Sequence, residues 1–232
     1  MKRRDFIKIG AVGAAASTLA APAVAQGIRQ WNMVTAWPKN LPGPGVAAQM
    51  LADRITTLSG GRITVKLHAA GELVPGRGVF DAVSEGTAEL YHAVPAYWGS
   101  KSKGILLFGS QPFGLRADEQ FGWLYHGGGQ ALYDEIYARF NLKPFLCGNS
   151  GPQWQGWFRE EIHSLDDLKG LKFRTTGLAS EMCSKIGMAV QAMGPRDMFQ
   201  ALQTGALDAG EFIGPWTDSA VGFYQVAKNY YW

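Results

Sequence analysis

Three short stretches of the chain combine residue types suited to gripping a small anion. In Lys172-Phe173-Arg174-Thr175-Thr176-Gly177, alternation puts Lys172 and Arg174 on one face of a strand and Leu171 and Phe173 on the other. An arginine at the C-terminal end of a parallel strand points into the crevice where α/β proteins bind ligands. Its planar fork holds a carboxylate through two parallel hydrogen bonds. A strand-end arginine in a surface ion pair is the equal alternative. In Leu207-Asp208-Ala209-Gly210-Glu211-Phe212-Ile213-Gly214-Pro215, Glu211 closes an apolar strand just before a Gly-Pro turn. A charge there needs a partner, because burial without one is costly; a capping or surface glutamate is the other reading. The stretch Cys147 to Phe158 mixes glycines with Asn149, Gln153 and Gln155, whose uncharged oxygens suit a hard cation or a polar ligand. A strand and tight turn with core tryptophans is the plainer account of the same residues.

Other candidates carry less. Tyr91, Tyr97 and Trp98 either wall a pocket or pack a core. Gly127-Gly128-Gly129 precedes a helix and suits an anion at its N-terminus, but lacks the dinucleotide and P-loop spacings. No nucleophile-elbow signature is present. Four scattered histidines and two cysteines give no zinc, haem or iron–sulfur spacing. The apolar neighbours of Cys147 and Cys183 predict buried, unpaired thiols.

The elements that must position these residues follow from periodicity. Gln30 to Thr35 alternates as a strand. Pro- and Gly-rich Trp37 to Gly45 is a loop, and a helix runs from Ala47 to Leu58 until Gly60-Gly61 stops it. A second strand at Ile63 to Leu67, a short helix at Gly78 to Ser84 and a third strand at Ala88 to Val94 complete a β-α-β-α-β order. That order predicts a largely parallel sheet. Helices follow at Ala117 to Tyr125 and Gln130 to Phe140, then a strand at Leu142 to Cys147 that leaves the first unit. Past residue 150 the alternation restarts: a capped short helix at Ser164, strands at Leu171, Ala189 and Leu207, helices at Ala179 and Arg196, and a strand-like end from Phe223. Two consecutive α/β units predict two lobes with a ligand cleft between them.

The N-terminus gives the address. Arg3-Arg4 precede an apolar run from Gly10 to Ala21 and a small-x-small site at Ala23-Val24-Ala25. This is the pattern of a twin-arginine export signal over residues 1–25, and the run is too short to span a bilayer, which takes roughly 20 residues. Lys2, Arg3, Arg4 and Lys8 against Asp5 account for the whole formal net charge of +3, so the mature part is neutral. A neutral chain excludes the basic footprint of nucleic-acid binding, and no second long apolar run predicts membrane insertion. Twin-arginine export also suggests a second class of function, an exported cofactor-dependent oxidoreductase, for which no cofactor motif is found.

Taken in order, several runs resemble the binding subunits of the tripartite ATP-independent periplasmic (TRAP) transporters. They include Val34 to Gly45, Ala69 to Val74, Phe80 to Val83, Gly86 to Glu89, Pro112 to Leu115, Gly127 to Gln130, Gly148 to Phe158, Gly170 to Gly177 and Gly222 to Tyr231. The match is to the subgroup that takes 2-oxo and 2-hydroxy monocarboxylates. The resemblance implies a two-lobed α/β periplasmic binding-protein fold that closes on a ligand without making or breaking bonds. Lobe I would be residues 26–147, lobe II 148–211, and 212–232 a strand segment crossing back to lobe I, with hinges near 145–150 and 212. It implies that Arg174 clamps the substrate carboxylate, with Tyr97, Gln153 and Asn149 at the ligand. A sodium or calcium ion would sit on Gln153, Glu211 and the backbone oxygen of Phe212. TRAP membrane permease subunits would be the partners, and some relatives form homodimers. Two positions depart from the pattern: Phe212 stands where tryptophan is usual, and Gln155 where glycine is common. Relatives continue beyond Trp232, so the expectation is a chain lacking its C-terminal part, including a further acidic cation ligand and helices packing across both lobes. Residues 26–232 by themselves are then expected to be unstable.

Overall fold

The structure, a computed structural model, describes residues 27–109, 111–153 and 155–231. The signal segment 1–25 and the terminal Trp232 lie outside the described residues. The first unit is a three-stranded parallel sheet ordered β2-β1-β3, built from β1 (Arg29–Thr35), β2 (Ile63–His68) and β3 (Leu90–His92). Its crossovers are α1 (Pro44–Leu58) and α2 (Val79–Ser84). Helix α1 begins where sequence chemistry says it should. Gly43 takes φ +82°, Pro44 fills the first turn, where its missing N–H is no loss, and Gly60 and Gly61, both at positive φ, end it. Being central, β1 is buried through its last three residues, and that delivers Thr35, Ala36 and Trp37 to the middle of the molecule.

Helices α3 (Ala117–His126) and α4 (Gly129–Ala138) cover this unit. Its core is aromatic: Phe80 packs against Tyr91, Trp98, Tyr137 and Phe140 with ring centroids 5.2–6.1 Å apart. Tyr91 and Trp98 are therefore core residues. Gly129 lets the helices close, since a Cβ there would meet the Trp123 ring at 2.8 Å.

The second unit is a five-stranded mixed sheet ordered β6-β5-β7-β4-β8. It comprises β4 (Gly156–Phe158), β5 (Lys172–Arg174), β6 (Ala189–Gln191), β7 (Ala209–Gly210) and β8 (Asn229–Tyr231), with helices α5 (Gly177–Lys185), α6 (Pro195–Thr204) and α7 (Pro215–Val221). Strands β5, β6 and β7 are parallel, whereas β4 runs antiparallel to both β7 and β8. Phe158, Phe173, Cys183 and Met188 fill its core. A third apolar cluster joins the units: Trp37 and Leu41 from the first pack with Met198, Leu207, Phe212 and Phe223 of the second.

Four expectations change. Leu142 to Cys147 is not a strand; the segment runs alone, with Pro144 unable to donate and its carbonyl held by the Gln130 side-chain amide at 3.0 Å. Cys147 is accordingly exposed, while Cys183 is buried as expected, and both are free. Among the described residues, the segment from 212 to 231 does not carry a strand back to the first unit. It forms α7, then adds β8 to the outer edge of the second sheet through Gly156↔Tyr231 and Phe158↔Asn229. Among the described residues only Thr217 Oγ1, bonded to Pro42 O at 3.3 Å, gives it a hydrogen bond to the first unit. Finally, the strands expected at Ala88 and Leu207 shrink to three and two residues. Among the described residues no helix is long and apolar enough to cross a membrane.

Candidate functional site

Arg174 ends β5 and is 1% exposed. Parallel pairing of Arg174 with Gly210 places Glu211 one residue beyond, and the Glu211 amide continues the ladder by donating to Arg174 O at 2.9 Å. Two neighbouring strand ends thus bring opposite charges together: Arg174 Nη1 lies 3.6 Å from Glu211 Oε2. The guanidinium also donates through Nε to Met193 O at 2.9 Å and through Nη1 to Glu211 O, and it lies over the Phe212 ring, 5.5 Å from the centroid. A buried charge pair survives only with such additional hydrogen bonds.

Glu211 is less well compensated. Thr175 Oγ1 donates to its Oε2 at 3.1 Å, yet burial pushes the carboxyl up to about 7; Arg174 and then Thr175 pull the other way, while Asp218 adds to the rise. Asp218, 1% exposed, accepts from Trp157 Nε1 at 2.9 Å and from the Ile213 amide at 3.2 Å. Burial raises its carboxyl too, against those donors. The two strands carrying Glu211 and Trp157 approach very closely at Gly156. It sits at φ +115°, and a Cβ there would fall inside contact distance of Gly210 O and 2.8 Å from Glu211 Cα.

Tyr97 faces this pair from the first unit. Burial raises its phenol, while Arg174 beside the hydroxyl opposes the rise, Glu211 adds to it and Arg77 opposes it. The Trp37 ring lies 6.1 Å away, and the Arg77 guanidinium stacks 5.6 Å from the Tyr97 ring centroid. Arg174, Glu211, Phe212 and Tyr97 are therefore brought together in one place. Next to it a cavity of about 200 Å³ opens between the units, lined by Arg77, Tyr97 and Lys103 on one side and Thr176, Gly177 and Glu181 on the other.

Gln153 and Asn149 are placed differently. Both are exposed on the connecting loop, where Gln153 Nε2 donates to Ser150 Oγ at 2.9 Å and Asn149 Oδ1 accepts from the Gly151 amide at 2.7 Å. Neither hydrogen-bonds Arg174 or Glu211 among the described residues. Gln155 turns to the second core, against the Cys183 thiol. Met193, Thr175 and Asp218 were not singled out from sequence. Thr175 follows Arg174 directly, and Asp218 sits in the first turn of a helix that Gly214-Pro215 could have announced.

An oxygen-ligated cation fits part of this arrangement. Glu211 holds a buried carboxylate with incomplete compensation, and the adjoining Phe212 carbonyl has no donor among the described residues. No group of three or more His, Cys, Asp or Glu converges among the described residues, so a hard ion on mixed carboxylate, carbonyl and amide oxygens is the chemistry that suits the donors present.

Residues 33–232 match the sequence profile of DctP, bacterial extracellular solute-binding protein, family 7, and residues 1–20 that of the twin-arginine translocation pathway signal sequence. The whole chain is 40% identical to a monocarboxylate 2-oxoacid-binding periplasmic protein of Nostoc sp., covering 66% of that protein. A TRAP periplasmic solute binding protein from Pseudoalteromonas atlantica with bound sodium and pyruvate superposes with a TM-score of 0.85 at 35% identity, over 88% of this chain and 62% of that one. A TRAP transporter solute binding protein from Bordetella bronchiseptica, a mixed occupancy dimer with copurified calcium and picolinate in one active site, gives a TM-score of 0.85 at 37% identity, over 88% and 60%. The chain thus spans somewhat less than two thirds of the length of these relatives.

Proposed function

The chain belongs to the bacterial extracellular solute-binding proteins of family 7, and on that premise we propose that it captures a small 2-oxo or 2-hydroxy monocarboxylate and delivers it to a TRAP membrane transporter. Its twin-arginine signal addresses it to the periplasm. The observation that carries the reading is the buried Arg174–Glu211 pair at the junction of two α/β units, with Tyr97 closing over it.

The chemistry follows from that pair. Carbonyl oxygens take two of the guanidinium's five donors, and the remaining edge of the fork receives the ligand carboxylate as charge-assisted hydrogen bonds. A 2-oxo acid offers two adjacent oxygens, so a sodium or calcium ion held by Glu211 and the Phe212 carbonyl would bridge acid and protein, supplying the positive charge that Glu211 lacks. Gln153 joins this set only if the exposed loop carrying it folds inward, and Asn149 moves with it. Phe212, in the place of tryptophan, keeps an aromatic face under Arg174. Capture then closes the two units about the 145–150 connection and the residues after β7, and docking on the permease releases the acid. Binding is the whole task; no bond is made or broken.

Titration with pyruvate and lactate, following tryptophan fluorescence with and without calcium or sodium, tests the reading. A saturable, cation-dependent response is expected. No response to either acid under any of these conditions sinks it.

A further inference from the structure

The cavity beside Tyr97 has chemistry that a minimal monocarboxylate does not use. It holds about 200 Å³, below the roughly 300–1,000 Å³ usual for a complete ligand pocket. It therefore suits an extension of a ligand anchored elsewhere. Its position supplies the anchor: Tyr97 lines the cavity and touches Arg174, Thr176 lies two residues past Arg174, and Ala192 precedes the Met193 carbonyl that holds Arg174. The lining carries three charges. Lys103 and Glu181 are paired with each other across the units. Arg77 has no carboxylate partner among the described residues; it is held by stacking on Tyr97 and by donating through Nη2 to Tyr97 O at 3.1 Å. With Lys103 and Glu181 cancelling, the cavity keeps one net positive charge, carried by a guanidinium with most of its donors unspent. Ser100 and Ser180 add hydroxyls to the wall.

We propose that this cavity is an annex to the carboxylate site, and that Arg77 receives there a second anionic group of an elongated substrate. The ligand range then extends from short 2-oxo monocarboxylates to 2-oxo acids with a carboxylate at the far end. The inference rests on the Arg174 reading above, with Tyr97 as the partition that a substrate chain passes.

The test compares 2-oxoglutarate with 2-oxovalerate, which share the 2-oxo carboxylate and chain length and differ only at the far end, and uses pyruvate as the short reference. Affinities are measured by calorimetry for the wild type, Arg77→Met and Arg77→Lys, each first shown to unfold at the wild-type temperature. The ratio of 2-oxoglutarate to 2-oxovalerate affinity should drop about 10- to 100-fold in Arg77→Met, the value of a charge-assisted contact. It should recover in part in Arg77→Lys, which restores charge without the fork. A ratio unmoved by Arg77→Met while pyruvate still binds overturns the annex and leaves the carboxylate site standing. Failure of all three acids to bind the wild type overturns both.

Discussion

At the scale of single residues, Arg174 carries two roles, and one substitution removes both. Arg174→Ala removes the clamp and strands Glu211 in a buried site, so pyruvate binding should weaken by 100-fold or more, on the order of 3 kcal/mol. Stability should fall by roughly 3–5 kcal/mol, the usual result of breaking a buried pair. Unchanged affinity by calorimetry would remove Arg174 from the site. Glu211 sets a pH dependence. Its folded-state pKa of about 7 stands above its ordinary value of 4.5, so the folded state binds its proton more tightly than the unfolded chain. The resulting stabilisation is complete below 4.5 and is lost as pH rises through 7. The melting temperature of Glu211→Gln minus that of the wild type should therefore increase from about pH 5 to about pH 8. A difference that stays flat contradicts the assignment.

At the scale of elements, the site depends on how tightly β4 lies against β7. Gly156 is the contact: positive φ and the adjacent Gly210–Glu211 backbone leave no room for a side chain. Gly156→Ala should cost about 2–4 kcal/mol, from strain at φ +115° and forced separation of the strands. Denaturant unfolding measures this directly. A loss below about 0.5 kcal/mol would mean that β4 can shift without penalty. Much of the element order was legible: β1, α1, β2, α3 and α6 follow their apolar periods and their Gly and Pro stops. The Leu142–Cys147 segment was not, because an apolar run becomes a strand only if another strand pairs with it, and among the described residues none does. Helix α7 was readable from Pro215 at its first turn, but the apolar pattern around it resembled a strand.

For the whole molecule, the two units are joined mainly by their shared apolar cluster, and charge adds little. Lys103–Glu181 is the one ion pair between them among the described residues, and its side chains are 74% and 47% exposed. An exposed pair of this kind contributes about 0.2–1 kcal/mol. Lys103→Met should therefore lower pyruvate affinity by no more than about fivefold, and added salt should erase most of the difference. A larger loss that persists in high salt would assign Lys103 to the ligand instead. The address and the α/β order were legible in sequence, because a signal and a period are local properties. Arg174 and Glu211 stood out as candidates by their strand-end positions, while Phe212 and Tyr97 were pointed to by the family resemblance. Tertiary structure decided the rest. It set the placement of β8 in the second sheet and the outward position of Gln153 and Asn149. It also fixed the proton affinity of Glu211 and the cavity beneath Arg77. Each depends on which distant segments share a register or exclude water from one another, and no spacing along the chain encodes that.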